Sequence, residues 1–438
     1  MALLPQSIDD YEKLEMVGKG TYGTVHKARE KKTGQLVALK RINMRNMKEG
    51  FPITAIREIK LLRRLRHRNV IAFLGILTPT PAPAADAFDC STADVAQDSN
   101  QGDSKGGDPP AGQPPPPPPD SAIADPASGP DEHSPAIYMV FDYMYHDLLG
   151  LSEWRHGKFD LCEIKCLMRQ LLEGLQHCHQ HHIIHRDIKS SNLLLTKEGE
   201  LKLGDFGLAR LHVKSSQQAH YTNRVITLWY RPPELLLGSV KYGTAVDIWS
   251  AGCILAELMT GKPLFNGESE KHMLEMIFRL CGGPDSTTWS EAVRLPEWEK
   301  HRPARHFPRT IRSRFRDWDE TGVDLLDKML TLDPECRVTA SAALEHPFFT
   351  HSTPLPCQPS DIKLPDRSCH EMGVVGSKRP HPPDAPQQQQ QEPPRIPSDP
   401  SQPLLPLPGH ISAPHHHALL AALDIKQEKG SKRHKPHE

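Results

Sequence analysis

No stretch of this 438-residue sequence reaches the roughly 18 consecutive apolar residues that a membrane span needs. The first residues, Met1-Ala2-Leu3-Leu4-Pro5, offer neither a basic start nor a long apolar run, so a secretory signal is not expected. Cysteine is scarce and unpatterned. Nine residues, an odd number without a Cys-x-x-Cys pair, exclude a disulfide framework and imply a reducing compartment. His177-Cys178-His179-Gln180-His181-His182 lacks the ligand spacing of a zinc finger. A net charge of −1 is far from the basic excess of a nucleic-acid binder. A soluble intracellular chain follows, with no direct contact with nucleic acid or membrane.

What is plentiful is proline, at 42 residues, and it is unevenly placed. Residues 78–135 hold fourteen prolines, six of them at Pro114 to Pro119, together with ten acids and one lysine. Such a segment cannot bury enough apolar area to order itself, so it is expected to be a disordered insertion, either a spacer or a polyproline docking site. From residue 350 onward proline, glutamine and histidine dominate, and a disordered tail over 350–438 is expected. Removing both segments leaves a body of about +7, suited to anionic ligands.

Within that body, His185-Arg186-Asp187-Ile188-Lys189-Ser190-Ser191-Asn192 is followed by Asp205-Phe206-Gly207. Phosphoryl transfer needs these residue types. Asp187 would accept and orient a hydroxyl, Lys189 would offset charge on the moving group, and Asn192 with Asp205 would hold Mg²⁺ on ATP. Leu193 to Leu195 and Leu201 to Leu203 predict two short strands around Glu198-Gly199, which bring both metal ligands to one mouth.

Upstream, Gly18-Lys19-Gly20-Thr21-Tyr22-Gly23-Thr24-Val25 lies between strand-like runs at Leu14 to Val17 and Val25 to Ala28. A dinucleotide fold would require a helix directly after Gly23. Here β-like residues follow, then Leu36-Val37-Ala38-Leu39-Lys40, so a strand-loop-strand flap over phosphates fits better. Lys40 would reach those phosphates. Thr54 or a neighbour can cap a helix burying Ile59, Leu62 and Leu65, and Glu58 on that helix would pair with Lys40.

Together these motifs resemble the eukaryotic protein kinases over residues 11–77 and 136–349, and Pro52-Ile53-Thr54-Ala55-Ile56-Arg57-Glu58 resembles the cyclin-contacting helix of the cyclin-dependent kinases. Lys48-Glu49-Gly50-Phe51 and Tyr221 through Glu234 are most similar to the transcription-elongation members. The resemblance implies an α+β bilobal fold: a mainly β N-lobe (11–77 and 136–141) with one regulatory helix, a hinge (142–145), and a mainly α C-lobe (146–349). It implies a proline-directed serine/threonine kinase that uses ATP and Mg²⁺, pairs with a cyclin and acts in the nucleus on the repeated tail of RNA polymerase II. Lys378-Arg379 and Lys432-Arg433-His434-Lys435 are thin nuclear-import candidates. A cell-cycle kinase of the same family is the alternative. A dead scaffold is less favoured because Lys40, Asp187 and Asp205 all stand.

Residue by residue, the resemblance assigns the nucleotide site to Val17 through Val25, Ala38, Lys40, Phe141, Asp142, Met144, Asp147 and Leu194. Phe141 would close the back of the pocket, Asp142 and Met144 would meet the base through backbone groups, and Asp147 the ribose; Ala38, Val25 and Leu194 would sandwich the ring. Thr222 matches the site of an activating kinase, and Arg57, Arg186 and Arg210 match the arginines that gather around its phosphate. Thr21 and Tyr22 are candidate inhibitory phosphosites. Val225, Ile226 and Arg231 match the floor that selects Ser-Pro and Thr-Pro. Asp247 resembles the anchor of the catalytic loop, and Glu234 with Arg337 a buried structural pair. Gly204 departs from the alanine usual before Asp205.

Overall fold

Alternation of side chains along β-rich segments builds the first lobe, and the computed structural model describes residues 6–20, 23–42, 52–78, 136–212 and 221–370. Strands β1 (Gln6–Ser7), β2 (Tyr11–Gly20), β3 (Gly23–Glu30), β4 (Leu36–Ile42), β5 (Phe73–Thr78) and β6 (Ile137–Asp142) form one sheet in the order β1-β5-β6-β4-β3-β2. Successive strand residues point to opposite faces. On β4, Val37 and Leu39 are buried with Ala28, Leu77, Tyr138 and Val140, so Ala38 and Lys40 take the other face. Register sets Lys40 beside Val25 and Met139, and Ala38 beside Phe141. The flap, the lysine and the expected adenine walls thus share one side of the sheet.

Helix α1 (Ile53–Leu62) buries Ala55, Glu58, Ile59 and Leu62. The expected cap at Thr54 is not found: Pro52 occupies the N-cap position, and no side chain bonds there. Proline tolerates a helix start because the first amides lack helical acceptors in any case. The apolar run Val70 to Phe73 reads as a strand from the sequence, but only Phe73 enters one, β5 (Phe73–Thr78). Val70 forms an isolated bridge to Leu203, and the Ile71 amide donates to the Leu203 carbonyl, so this apolar run joins the two lobes.

The second lobe opens with β7 (His146–Asp147), α2 (Leu148–Trp154) and α3 (Leu161–Gln180), whose Leu171, Leu172 and Leu175, spaced as one helix face, are buried. The pairs β8 (Ile183–Ile184) with β11 (Arg210–Leu211), and β9 (Leu193–Leu195) with β10 (Leu201–Leu203), are antiparallel ribbons that carry the polar motifs. Below them lie α4 (Pro233–Leu236), α5 (Ala245–Thr260), α6 (Glu270–Cys281), α7 (Trp298–His301), α8 (Ile311–Arg314) and α9 (Glu320–Met329). Helix α5 is apolar nearly all round and is buried from Val246 to Leu258, as expected of a central helix. The bilobal α+β architecture is as the resemblance implied.

The expectation of a coreless tail from residue 350 is corrected. Residues 350–370 run as a strap over the second lobe back to the hinge, while 371–438 and the insertion from 79 to 135 lie outside the described residues. Lys165 Nζ donates to the Ser352 carbonyl (2.9 Å), Ser352 Oγ (2.6 Å) and the Pro354 carbonyl (2.8 Å). Ile362 is buried. At the far end the Cys369 amide donates to the Tyr145 carbonyl (3.2 Å), and the Asp147 amide to the Cys369 carbonyl (3.0 Å). Its composition signals disorder because the strap has no core of its own; it borrows the lobe's.

Candidate active site

Two short ribbons and one helix bring the motif residues to a single cleft. Lys40 Nζ donates to Glu58 Oε1 (2.9 Å) and Oε2 (3.1 Å), and to Asp205 Oδ1 (2.9 Å). Burial presses down on the Lys40 ammonium, but the carboxylates of Asp205 and Glu58 outweigh it and hold its pKa above the ordinary lysine value. The two acids respond oppositely. Burial dominates at Glu58 and raises it, whereas at Asp205 burial is overcome by Lys40 and the pKa falls to about 2. Asp205 is therefore a carboxylate at any physiological pH. It sits in the left-handed backbone region (φ 50°), an uncommon conformation for a residue with a side chain, and its Oδ1 also takes the Gly207 amide (3.4 Å). Its Oδ2 has no protein donor among the described residues, and the side chain is 39% exposed.

Across the cleft, Asp187 is buried and fully oriented. Its Oδ1 accepts from Thr227 Oγ1 (3.1 Å), its Oδ2 from Asn192 Nδ2 (2.8 Å), and Lys189 Nζ stands 3.3 Å from Oδ2. Asn192 Nδ2 also donates to the Asp187 carbonyl (2.8 Å), which leaves the amide oxygen as its acceptor end. Asp247 fixes the backbone beneath: Oδ2 accepts from the His185 amide (2.9 Å) and Oδ1 from the Arg186 amide (2.8 Å), with His179 Nε2 2.9 Å from Oδ2. Burial would lift the Asp247 carboxyl, but these donors and His179 hold it below its usual range.

Gly18 pairs with Val25 across the flap, and Lys19 and Gly20 pair through their backbone with Thr24 and Gly23. Thr21 and Tyr22 lie outside the described residues. Gly23 has φ 144°, and a Cβ there would collide with the Arg41 carbonyl oxygen, so only glycine permits this turn. Val17, Val25, Ala38 and Leu194 are half-buried, as expected of walls facing an open cleft, whereas Phe141 and Met144 are buried at the hinge. Gly204 has a local reason: a Cβ on it would come 2.7 Å from Leu194 Cδ1. The Asp142 carboxyl is raised by burial.

Asp147 is not open to a sugar hydroxyl as expected. It is buried, its Oδ1 caps α2 by accepting from the Gly150 amide (2.7 Å), and its Oδ2 lies 3.5 Å from His370 Nδ1 at the end of the strap. Neighbouring His146 accepts the Cys369 amide at Nδ1 (3.2 Å); burial, with His370 nearby, takes its pKa down to about 4.

The switch residues are partly assembled. Arg186 (φ 65°) donates to the Leu208 carbonyl (2.8 Å) and to Tyr242 Oη (2.7 Å), and Tyr242 donates in turn to the Thr222 carbonyl (2.6 Å). Burial, and then the charge of Arg186, lower the pKa of Arg57. Arg210 bonds the Leu208 and Ala209 carbonyls (3.4 and 2.9 Å). Thr222 is exposed. Tyr242 carries no motif, and neither its role nor the Thr227 bond to Asp187 was legible in the sequence; both depend on how distant loops converge.

Ile226 also adopts positive φ (67°), which is strained for a β-branched residue. Arg231 holds it, donating from Nε (3.1 Å) and Nη2 (3.0 Å) to the Ile226 carbonyl, while Nη1 pairs with Glu270 (2.9 Å). Val225 is buried beside it. Beneath this floor, Arg337 and Glu234 form a buried bidentate pair at 2.8 and 3.0 Å.

The protein kinase domain family matches residues 11–82 and 130–349. Human cyclin-dependent kinase 9 is 42% identical over 360 residues, covering 81% of this chain and 83% of that protein. The chain belongs to the cyclin-dependent protein kinases. Cyclin-dependent kinase C-2 of rice is 46% identical over 367 residues, 84% of this chain, and cyclin-dependent kinase 12 of Caenorhabditis elegans is 43% identical over 376 residues, 85% of this chain. The chain spans 64% of the length of the rice kinase and 45% of the nematode one. The family resemblance drawn from the flap, the helix and the catalytic loop is thus borne out.

Proposed function

We propose that this kinase transfers the γ-phosphoryl group of ATP to serine or threonine followed by proline, once a cyclin has docked on α1 and an activating kinase has phosphorylated Thr222. The convergence of Lys40, Glu58 and Asp205 opposite Asp187, Lys189 and Asn192 carries this proposal. Asp187, fixed through both oxygens, is placed to orient the attacking hydroxyl and take its proton. Lys189 stands where it can offset charge on the transferring group, and Lys40, steadied by Glu58, where it can bind phosphate oxygens.

The residues present fit a magnesium ion. Mg²⁺ prefers one or two protein oxygens with substrate phosphates and water completing its shell, and Asn192 with Asp205 supplies such a pair. Bound there, it would neutralise phosphate charge. No group of three or more His, Cys, Asp or Glu side chains among the described residues is arranged as a metal site, so a cage made wholly of protein is not offered.

Selection of proline follows from the floor. Arg231 takes the Ile226 carbonyl with two N–H groups, so that oxygen is turned to the guanidinium instead of to a substrate amide. An ordinary residue after the target would leave its N–H unsatisfied, and proline has none. Similarity to cyclin-dependent kinases 9, 12 and C-2, together with the Tyr221 to Glu234 segment, supports the transcription-elongation branch, a nuclear location and the RNA polymerase II tail as substrate.

The test assays Ser-Pro and Ser-Ala peptides with the full chain, alone and with cyclin and an activating kinase. Activity is expected only in the combined sample and only on Ser-Pro. Full activity of the isolated, unphosphorylated chain would remove the cyclin-dependent part of the proposal.

A further inference from the structure

A cavity of about 390 Å³ opens on the lower lobe between the end of α6 and the segment after α7, away from the catalytic cleft. Trp298 and Phe307 supply apolar walls, Pro303 a flat edge, and Arg302, Arg305 and His306 line its mouth. The surrounding chain is one-sided in charge. Residues 300–316 contain seven Lys or Arg and no acid. Some of this charge is spent locally: Arg309 pairs with Asp327 (2.6 Å), and Arg312 with Asp324 and with Asp327 (3.0 Å). The cavity arginines are not so neutralised. Arg302 has only a distant, exposed contact with Glu299 (3.7 Å), and Arg305 has no carboxylate within 4.0 Å among the described residues. Arg305 is instead laid over the Phe307 ring, 5.1 Å from its centroid, which pre-orients its planar donors.

We propose that this cavity docks a phosphorylated Ser-Pro or Thr-Pro segment, with the phosphate between Arg302 and Arg305 and the proline against Trp298 and Phe307. Two guanidiniums match a dianionic phosphate better than a single carboxylate, and a flat apolar ring suits an aromatic wall. Such a segment is the product of the proposed reaction, and the inference rests on that activity only for its source. Geometry ties the two sites together. Helix α6 begins at Glu270, bonded to the proline-selecting Arg231, and its last turn leads into Gly283 of the cavity. Twelve helical residues rise about 18 Å, a span that about six extended residues of a peptide would cover. A substrate with several repeats is long enough to hold one modified repeat in the cavity while presenting another to Asp187.

Fluorescence anisotropy on the full-length kinase–cyclin complex tests this with a labelled Ser-Pro repeat peptide, phosphorylated or not. A glutamate-substituted peptide serves as the carboxylate control. The phosphorylated probe is expected to bind about tenfold more tightly than either other probe, and the double variant Arg302→Gln/Arg305→Gln to abolish that difference. Turnover of a single-site peptide by the variant should match wild type, which shows that it is folded. Equal affinities for the three probes, or an unchanged preference in the variant, would overturn the proposal. Binding of the glutamate peptide as tightly as the phosphopeptide would make this a general acidic-segment site and overturn it too. Failure of wild type to phosphorylate any Ser-Pro peptide would strike the proposed activity alone, since the binding comparison needs no turnover.

Discussion

One ammonium shared by two carboxylates is the smallest unit from which this site can be understood. Lys40 lies 2.9 Å from both Glu58 and Asp205, so the strand, the helix and the metal-binding loop are fastened at one atom. Asp187 makes no hydrogen bond to that cluster among the described residues and meets Thr227, Asn192 and Lys189 instead. The division predicts separable defects. Asp187→Asn should leave ATP affinity nearly unchanged while turnover falls by about 10²- to 10⁴-fold, measured by nucleotide titration beside a peptide assay. A matched loss of ATP binding would place Asp187 in the nucleotide site instead. At this scale the sequence was informative wherever spacing encodes chemistry: Lys40, Glu58, Asp187, Asn192 and Asp205 lie where their motifs suggested. Asp147 shows the limit, because its carboxylate is taken by its own helix and by a histidine 223 residues along the chain.

Among the elements, the described residues on either side of the activation segment are linked by a chain of contacts running from the Leu208 carbonyl through Arg186 and Tyr242 to the Thr222 carbonyl. Arg57 on α1 has its pKa lowered by burial and then by the charge of Arg186, so an anion placed between them would be favoured. Phosphate on Thr222 would supply it and so couple the helix to the floor that selects proline. Thr222→Ala is expected to keep cyclin binding, seen by co-purification, yet lose most activity on Ser-Pro peptides, and Arg57→Ala to blunt the gain from phosphorylation. An alanine variant as active as the phosphorylated wild type would refute the switch. The arginines were legible through resemblance. Tyr242 was not, since a tyrosine ahead of an apolar helix reads as ordinary packing. The ribbon strands β9 and β10 were found at their predicted bounds because short apolar runs flank a Glu-Gly turn, whereas Val70 to Phe73, equally apolar, mostly bridges lobes and so misled.

For the whole molecule, the strap over 350–370 links the foot of the second lobe to the hinge. Its upper contact is pH-sensitive. His146 must be neutral at Nδ1 to accept the Cys369 amide, and its pKa is about 4 in the folded chain against an ordinary 6.5. The unfolded chain thus takes the proton first as pH falls, so stability is complete above about 6.5 and is drawn down toward about 4, by up to about 3 kcal/mol. Between pH 7 and pH 5 the wild-type melting temperature should fall more than that of His146→Gln; equal falls would exclude the contact as the cause.

The lower contact decides where this enzyme can be cut. Lys165 is buried beside the Phe348 ring, with burial lowering its pKa, and its three acceptors all come from Ser352 and Pro354, beyond residue 349 where the kinase-domain match stops. A protein shortened to residue 349 would keep every catalytic group yet strip Lys165 of its three hydrogen-bond acceptors, a defect that typically costs several kcal/mol. Compared with a chain ended at residue 370, one ended at 349 should melt markedly lower and expose the hinge to protease; equal melting would show that the strap adds nothing. The cooperative folding unit therefore runs at least about twenty residues past the end of the kinase-domain match.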